Sequence, residues 1–309
     1  MSLPTQTMPT MYFIGVTTTQ SSMMKIFPLW AEILGLKAQL VGHDIAIGAP
    51  PEAYREIVAH IKHDPMSQGG LVTTHKIDLL AATREMFDEL DDFAQLTQEV
   101  SAVAKRGEKL RGAAKDPITS GLAMEAFIPA GHWTQTGGEV LCLGAGGAGV
   151  SISVNLARRK EDYPQRFIIV DIDQARLNKL KALHDQLETP VKFEYMLNST
   201  PDQNDMLMLA LPPGSLVINA TGMGKDRPGS PLTDKGVFPE NGLVWELNYR
   251  GERQFMQQAH KQAEARHLTI EDGWVYFVHG WSQVVAEVFD LQLTPEIFRQ
   301  LDEAAASIR

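Results

Sequence analysis

The sequence predicts an α/β protein of two domains, each built on a mostly parallel sheet. Three observations lead there. Short apolar runs alternate with stretches whose apolar residues recur at helical spacing, the pattern of strand–helix–strand units. A glycine-dense turn, residues 144–149, joins one apolar run directly to one helical stretch. Small or polar clusters follow the strand-like runs at 17–22, 73–76 and 219–224, and α/β sheets bind ligands at the carboxyl ends of their strands.

Residues 11–16 read as a buried first strand, and 17–22 as a polar turn. Residues 23–36 form a helix with Met24, Phe27, Trp30, Ile33 and Leu34 on its apolar face. Ser21 or Ser22 fits its N-cap. A second strand covers 38–47. Pro51 opens the next helix, whose stripe is Ala53, Ile57, Val58 and Ile61. The third strand, from Gly69 to Val72, ends in Thr73-Thr74-His75-Lys76. Helices follow over 77–98, then a hairpin over 100–112 turning at Arg106-Gly107. Asp116 caps a helix with Pro117 in its first turn. Residues 129–138 read as a connector, which puts the first domain at 1–130 and the second at 131–280. The amphipathic stretches 281–289 and 295–308 return as helices to the first domain.

Residues 139–143 are an apolar strand running into Gly144-Ala145-Gly146-Gly147-Ala148-Gly149, then a helix. That order is the one a Rossmann-like dinucleotide-binding domain requires. Gly144 permits the tight turn, Gly146 lets backbone approach a pyrophosphate, and Gly149 lets helix and strand pack closely. Gly147 and Ala148 open the helix, whose N–H groups face the phosphates. A second apolar run, 167–170, ends in Asp171, 22 residues after Gly149. An acid at about that offset bonds the adenosine ribose hydroxyls. Asp171 repels a 2′-phosphate, and the next residue, Ile172, is no cation, so the cofactor reads as NAD rather than NADP. A charged helix runs to about 187. Strand 216–220 ends in Thr221-Gly222-Met223-Gly224-Lys225-Asp226, a small-residue turn on which a nicotinamide ring can lie. Strand 243–247 ends in Asn248-Tyr249-Arg250-Gly251, and 252–266 is a helix.

The 309 residues carry 44% hydrophobic and 21% charged side chains and a net charge of −10. The mean field therefore disfavours nucleic acid and acidic membranes. Cys142 is the one cysteine, so neither an internal disulfide nor a Cys-based metal site exists, and it reads as a small buried hydrophobe. No metal is expected. No apolar stretch is long enough to span a membrane, the first residues lack a signal-peptide pattern, and the cytoplasm is the default. The expected partners are a small-molecule substrate and, as a homodimer, a second copy of the chain.

Taken together, Gly15 with Ser21, Val72-Thr73-Thr74-His75-Lys76, Asp116 after a hairpin, Gly144–Gly149, Asn219–Gly224, and Gly273 before a helix resemble the shikimate/quinate dehydrogenase family over nearly the whole chain. The resemblance implies that Lys76 and Asp116 form a proton-transfer pair beside the reacting hydroxyl. A lysine held beside a carboxylate suits that task, since oxidising a secondary alcohol needs a base better than water. Without the resemblance, Lys76 reads as a solvated cation at a helix start and Asp116 as a cap. The resemblance also implies a substrate shell of Ser21, Thr73, Thr74, Ser101, Tyr249 and Gln283, and Thr221, Gly222, Met223 and Gly224 at the cofactor.

That shell departs from the family pattern. Met23 replaces the second serine of the first loop, whose pair normally holds a substrate carboxylate. The third-strand motif lacks its asparagine and proline. The family's Asn-Thr-Asp appears as Ala114-Lys115-Asp116, and its glutamine after Gly273 falls on Gly280, beside His279, with Gln283 one turn later. Lys115, Lys76 and Arg250 are the cations on hand for a substrate anion. The expected activity is reversible hydride transfer between NAD and a secondary hydroxyl of a small cyclic polyol or hydroxy acid. Two rivals share the cofactor half: a nucleotide-binding regulator without catalysis, and a folate- or imine-type dehydrogenase.

Overall fold

A computed structural model describes residues 3–225 and 227–309. The backbone divides into two compact units, one running up to Lys115 and including Gly280–Arg309, the other Asp116–His279.

The first unit contains β1 (Thr10–Gly15), α1 (Met23–Ile33), β2 (Gln39–Asp44), α2 (Pro51–His63), β3 (Ser67–Val72), α3 (Lys76–Thr83), β4 (Glu89–Leu90), α4 (Asp92–Thr97), β5 (Ala102–Arg106) and β6 (Lys109–Ala113). Its sheet order is β2-β1-β3-β5-β6-β4. The β2-β1-β3 core is parallel, and the β5–β6 hairpin adds to it antiparallel. The hairpin follows from chemistry at its turn: Gly107 adopts φ +61°, a left-handed conformation natural to glycine. Tyr12, Ile14, Ile57, Val58, Ile61, Val72 and Val103 pack into one core on the α2 side. The chain end belongs here too, because the indole Nε1 of Trp30, fully buried on α1, donates to Leu301 O at 2.8 Å.

The second unit contains α5 (Asp116–Glu125), α6 (His132–Thr136), β7 (Val140–Leu143), α7 (Gly147–Ala157), β8 (Arg166–Asp171), α8 (Gln174–His184), β9 (Lys192–Leu197), α9 (Pro201–Leu209), β10 (Leu216–Asn219), β11 (Leu243–Glu246), α10 (Gln254–His260), α11 (Ala263–Arg266) and β12 (Thr269–Glu271). Helix α12 (Trp274–Phe289) follows, and α13 (Pro295–Ala306) closes the chain. The sheet order is β12-β11-β10-β7-β8-β9 and every pairing is parallel. That is the doubly wound dinucleotide-binding order, with its topological switch between β7 and β10. Apolar cores cover both faces. Residues 116–136 cluster with this unit because α5 packs along α7 and because Met124 and Trp133 enter its core. A Cβ on Gly121 would lie 2.3 Å from the Asn155 side chain, so glycine sets that close helix approach.

The sequence reading passed over β4, β9 and β12. All three lie at sheet edges, where one side is wet and charged residues such as Lys192 and Glu194 interrupt any apolar run. Residues 129–138, read as a connector, hold α6. The single cysteine is buried, and burial pushes its thiol up to about 12, in keeping with a small core hydrophobe. Among the described residues, no helix is long and apolar enough to cross a membrane, and no cluster of three or more His, Cys, Asp or Glu suits a metal ion.

Candidate active site

In the second unit the sheet register aligns the strand ends. Leu143 pairs with Val170 and with Asn219, and Asn219 pairs with Glu246. The glycine turn therefore lies directly beside the turn after β10. Gly144 has φ +112°, and a Cβ there would lie 2.6 Å from Ala220 O. A Cβ on Gly149 would lie 2.2 Å from Gly144 O. Added to Gly146 or Gly147, it would meet nothing within 4 Å, so the backbone there borders open space. Val150 N donates to Gly146 O at 3.0 Å, leaving the amides of Gly147, Ala148 and Gly149 as the helix start that an anion can cap.

A pocket of about 420 Å³ opens at this switch point. Gly144, Gly146, Asp171, Thr221, Gly222 and Met223 line it, among others. Asp171 is 7% exposed and both its oxygens accept backbone amides, Ala145 N at 2.8 Å and Asp173 N at 2.9 Å. It thus ties the glycine turn to the end of β8. Arg176 lines the same pocket. Its Nη1 is 4.0 Å from Asp171 and its Nε 3.6 Å from Asp173. The sequence reading looked for such a cation only beside Asp171. The signal was a helical turn away, in the first turn of α8, and the Asn198–Pro201 segment between β9 and α9 lines the pocket as well.

The turn after β10 is held from beneath. Asn219 Oδ1 accepts from Thr221 N at 3.2 Å and from Thr221 Oγ1 at 2.6 Å. Thr221 Oγ1 accepts from Met223 N at 3.1 Å. Gly222 and Gly224 take φ +74° and +89°. Asp226, the last residue in the predicted turn, lies outside the described residues. Glu246, fully buried at the end of β11, accepts from both Asn219 and Asn248. Tyr249 packs its ring on Phe277, centroids 4.6 Å apart, and edge-on to Trp274.

In the first unit, Ser21 follows the short helical turn after β1, and its Oγ accepts from Met23 N at 3.3 Å. Met23 is fully buried. Thr73 bonds Ile14 O through both its amide and its hydroxyl, at 3.0 and 3.3 Å, while Thr74 is exposed. His75 is buried between Ile45 O at 2.9 Å and the Tyr54 hydroxyl at 3.2 Å, which fixes the chain just before Lys76 starts α3. Ser101 is 2% exposed, with its hydroxyl accepting from Lys115 N at 2.8 Å and donating to Ala113 O at 3.4 Å. Gln283 is half-buried within α12. The first loop is held by an acid at the end of β2 that the sequence pattern did not single out. Asp44 Oδ1 accepts from Thr18 N and Oγ1 at 2.8 and 2.6 Å, and these bonds hold its carboxyl below the usual range.

Lys115 departs from expectation as a cation for substrate. Its Nζ pairs with Glu287, which also takes Arg111 Nη1 at 2.6 Å and whose backbone carbonyl accepts from Arg106. Burial raises the Glu287 carboxyl, but Lys115, Arg111 and Arg106 outweigh it, so the net shift is downward. A carboxylate so shifted adds stability above its unfolded value, which is lost as pH falls below about 4.5. Glu287→Ala should cost about 3 kcal/mol by stranding the largely buried Lys115, while Arg111 keeps Glu89 at 3.0 Å. Urea titrations at pH 7 and pH 4 check this: the gap between wild type and variant should narrow at the lower pH.

No protein-family model matches the chain. It is 28% identical over 208 residues to the shikimate dehydrogenase (NADP(+)) of Streptococcus pneumoniae strain CGSP14, covering 67% of this chain and 68% of that protein. The chain is thus similar in sequence to shikimate dehydrogenases. Solved structures agree on the fold. The ligand-free 5-ketofructose reductase of Gluconobacter sp. strain CHM43 superposes with TM-score 0.72 at 21% identity, covering 98% of this chain and 99% of that one. The quinate dehydrogenase of Corynebacterium glutamicum in complex with NAD gives TM-score 0.74 at 18% identity, covering 97% and 99%. The chain keeps the glycine turn and the Asn219–Gly224 turn on which the sequence resemblance rests. Its first loop is pinned by the Asp44 carboxylate at the end of β2 and runs into the buried Met23.

Proposed function

We propose that the protein is a nicotinamide-dinucleotide-dependent oxidoreductase acting on the CH–OH group of a small shikimate- or quinate-like cyclic polyol or hydroxy acid. The observation that carries the dehydrogenase reading is the glycine turn at the topological switch of an all-parallel sheet, where backbone at Gly146 and Gly147 borders open space. In this reading the amides of Gly147, Ala148 and Gly149 hold the pyrophosphate, and Thr221, Gly222, Met223 and Gly224 back the nicotinamide. When bound, the nicotinamide supplies a hydride acceptor at its C4. Lys76 takes the proton of the reacting hydroxyl, and Asp116 keeps the ammonium form oriented and stabilised. Ser21, Thr73, Thr74, Tyr249 and Gln283 supply the substrate contacts, while Ser101 acts by fixing the backbone at Lys115, next to Asp116.

Within that reading the cofactor is NAD. Asp171 places negative charge beside the pocket, which opposes a 2′-phosphate, and the exposed Ile172 follows it. Arg176 works in the other direction, so its two neighbouring carboxylates, Asp171 and Asp173, decide the balance. The test is absorbance at 340 nm with shikimate and quinate, run with NAD and with NADP. Turnover should favour NAD by about tenfold or more, the effect of one uncompensated charge contact. A preference for NADP removes the NAD assignment and leaves the dehydrogenase standing. Nucleotide binding without reduction on either substrate or on a wider cyclitol panel removes the dehydrogenase.

A further inference from the structure

The buried acid Glu246 makes no contact that hydride transfer requires, yet it is the hub of the strand ends beneath the pocket. Its Oε1 accepts from Asn248 N at 2.9 Å, Asn248 Nδ2 at 2.7 Å and Asn219 Nδ2 at 3.1 Å, and its Oε2 accepts from Asn219 Nδ2 at 2.9 Å. The same two amide groups also donate to Met223 O, at 3.2 Å from Asn219 and 2.9 Å from Asn248. Asn219 spends its remaining oxygen on Thr221. The side-chain amide hydrogens of both asparagines run toward the carboxylate or toward Met223 O. The network terminates on Thr221 and Met223, which line the pocket with Gly222.

We infer that Glu246 is a positioning residue for the cofactor: its ionised form sets the direction of both asparagine amides, and so the shape of the Thr221–Gly224 turn. The inference rests on the dinucleotide reading of the pocket. A hydrogen at Oε2 would point at Asn219 Nδ2, donor against donor. Relief requires Asn219 to turn its amide over, which aims its N–H groups at the amide of Thr221. That amide cannot become an acceptor, so the turn must move. Burial lets this happen near neutrality. Burial raises the Glu246 carboxyl to about 7, against the amide donors and Arg253. Among the described residues the charge acting on it is that of Arg253, itself paired with Asp272 at 2.8 Å. Among the described residues, no histidine lines the pocket.

The experiment is NAD binding to the full chain by calorimetry between about pH 6 and 8.5, a range in which NAD itself has no titrating group. Wild type should bind roughly tenfold more weakly at the acid end, and Glu246→Gln should bind weakly throughout with a flat profile, at a melting temperature no lower than wild type. A Glu246→Gln protein with the affinity and pH profile of wild type overturns the inference. Should that variant not fold, the wild-type profile decides, and a flat one overturns it. If wild type binds no NAD or NADH at any pH, the dinucleotide reading falls and takes this inference with it.

Discussion

Lys76→Ala will lower kcat by about 10²- to 10⁴-fold, with the KM for nucleotide nearly unchanged. The magnitude is that of a general acid–base group, about 3–5 kcal/mol of barrier. The split follows from place. Lys76 starts α3 and is not among the residues that line the pocket at the glycine turn, so in the proposed reading its loss falls on the proton transfer. Lys76→Arg should recover little, because a guanidinium stays protonated and cannot take up the hydroxyl proton. Asp116→Asn should fall in the same range. Initial rates on whichever of shikimate or quinate the wild type oxidises provide the check. Activity of Lys76→Ala within about twofold of wild type would remove the lysine from the chemistry, since a proton-transfer group cannot be lost so cheaply.

Gly149→Ala and Gly146→Ala should both abolish nucleotide binding, and they should do so for opposite physical reasons. At Gly149 a Cβ would stand 2.2 Å from the carbonyl oxygen of Gly144, a contact between two pieces of backbone that no rotamer can relieve. The glycine turn and α7 must separate, costing about 1–3 kcal/mol of stability as an overpacked site does. At Gly146 the added methyl meets nothing within 4 Å, so stability should hold within about 0.5 kcal/mol. What it meets instead is the pyrophosphate, whose approach to the backbone it blocks. Thermal melts with and without NAD separate the two: Gly149→Ala melts lower in both, and Gly146→Ala melts as wild type alone but loses the stabilisation that ligand confers. A Gly146→Ala protein that is still stabilised by NAD would move the pyrophosphate elsewhere.

Much of the fold was legible because its signals are local. The buried strands β1, β7, β8, β10 and β11 are apolar along their length, and the glycine turn announces its own backbone conformation. The edge strands β4, β9 and β12 were not legible, since half their surface is wet and their residues mix charge with apolar character, although the edge strand β2 was. Among the site residues, Asp171 was found by its offset from Gly149, but its partners were not. That its two oxygens are taken by Ala145 N and Asp173 N, and that Arg176 reaches toward it, depends on how β8 ends and α8 begins. Lys115 shows the converse. As a lysine beside Asp116 it reads as a free cation, and only packing reveals Glu287 on its Nζ, from a residue far along the chain.

By itself, the sequence determined the α/β class, the glycine turn, the acid at the end of β8 and the resemblance that singles out Lys76 and Asp116. Each is a matter of spacing or backbone permission, and these are properties of neighbours in the chain. Tertiary structure alone decided which charges are spent internally and which border a pocket. Glu246, Asp44 and Glu287 look alike as letters, yet one is a fully buried hub, one pins a loop and one neutralises two cations. The reason is that a carboxylate's role is set by the donors and the dielectric around it, and those are assembled from strand ends and helices far apart in sequence.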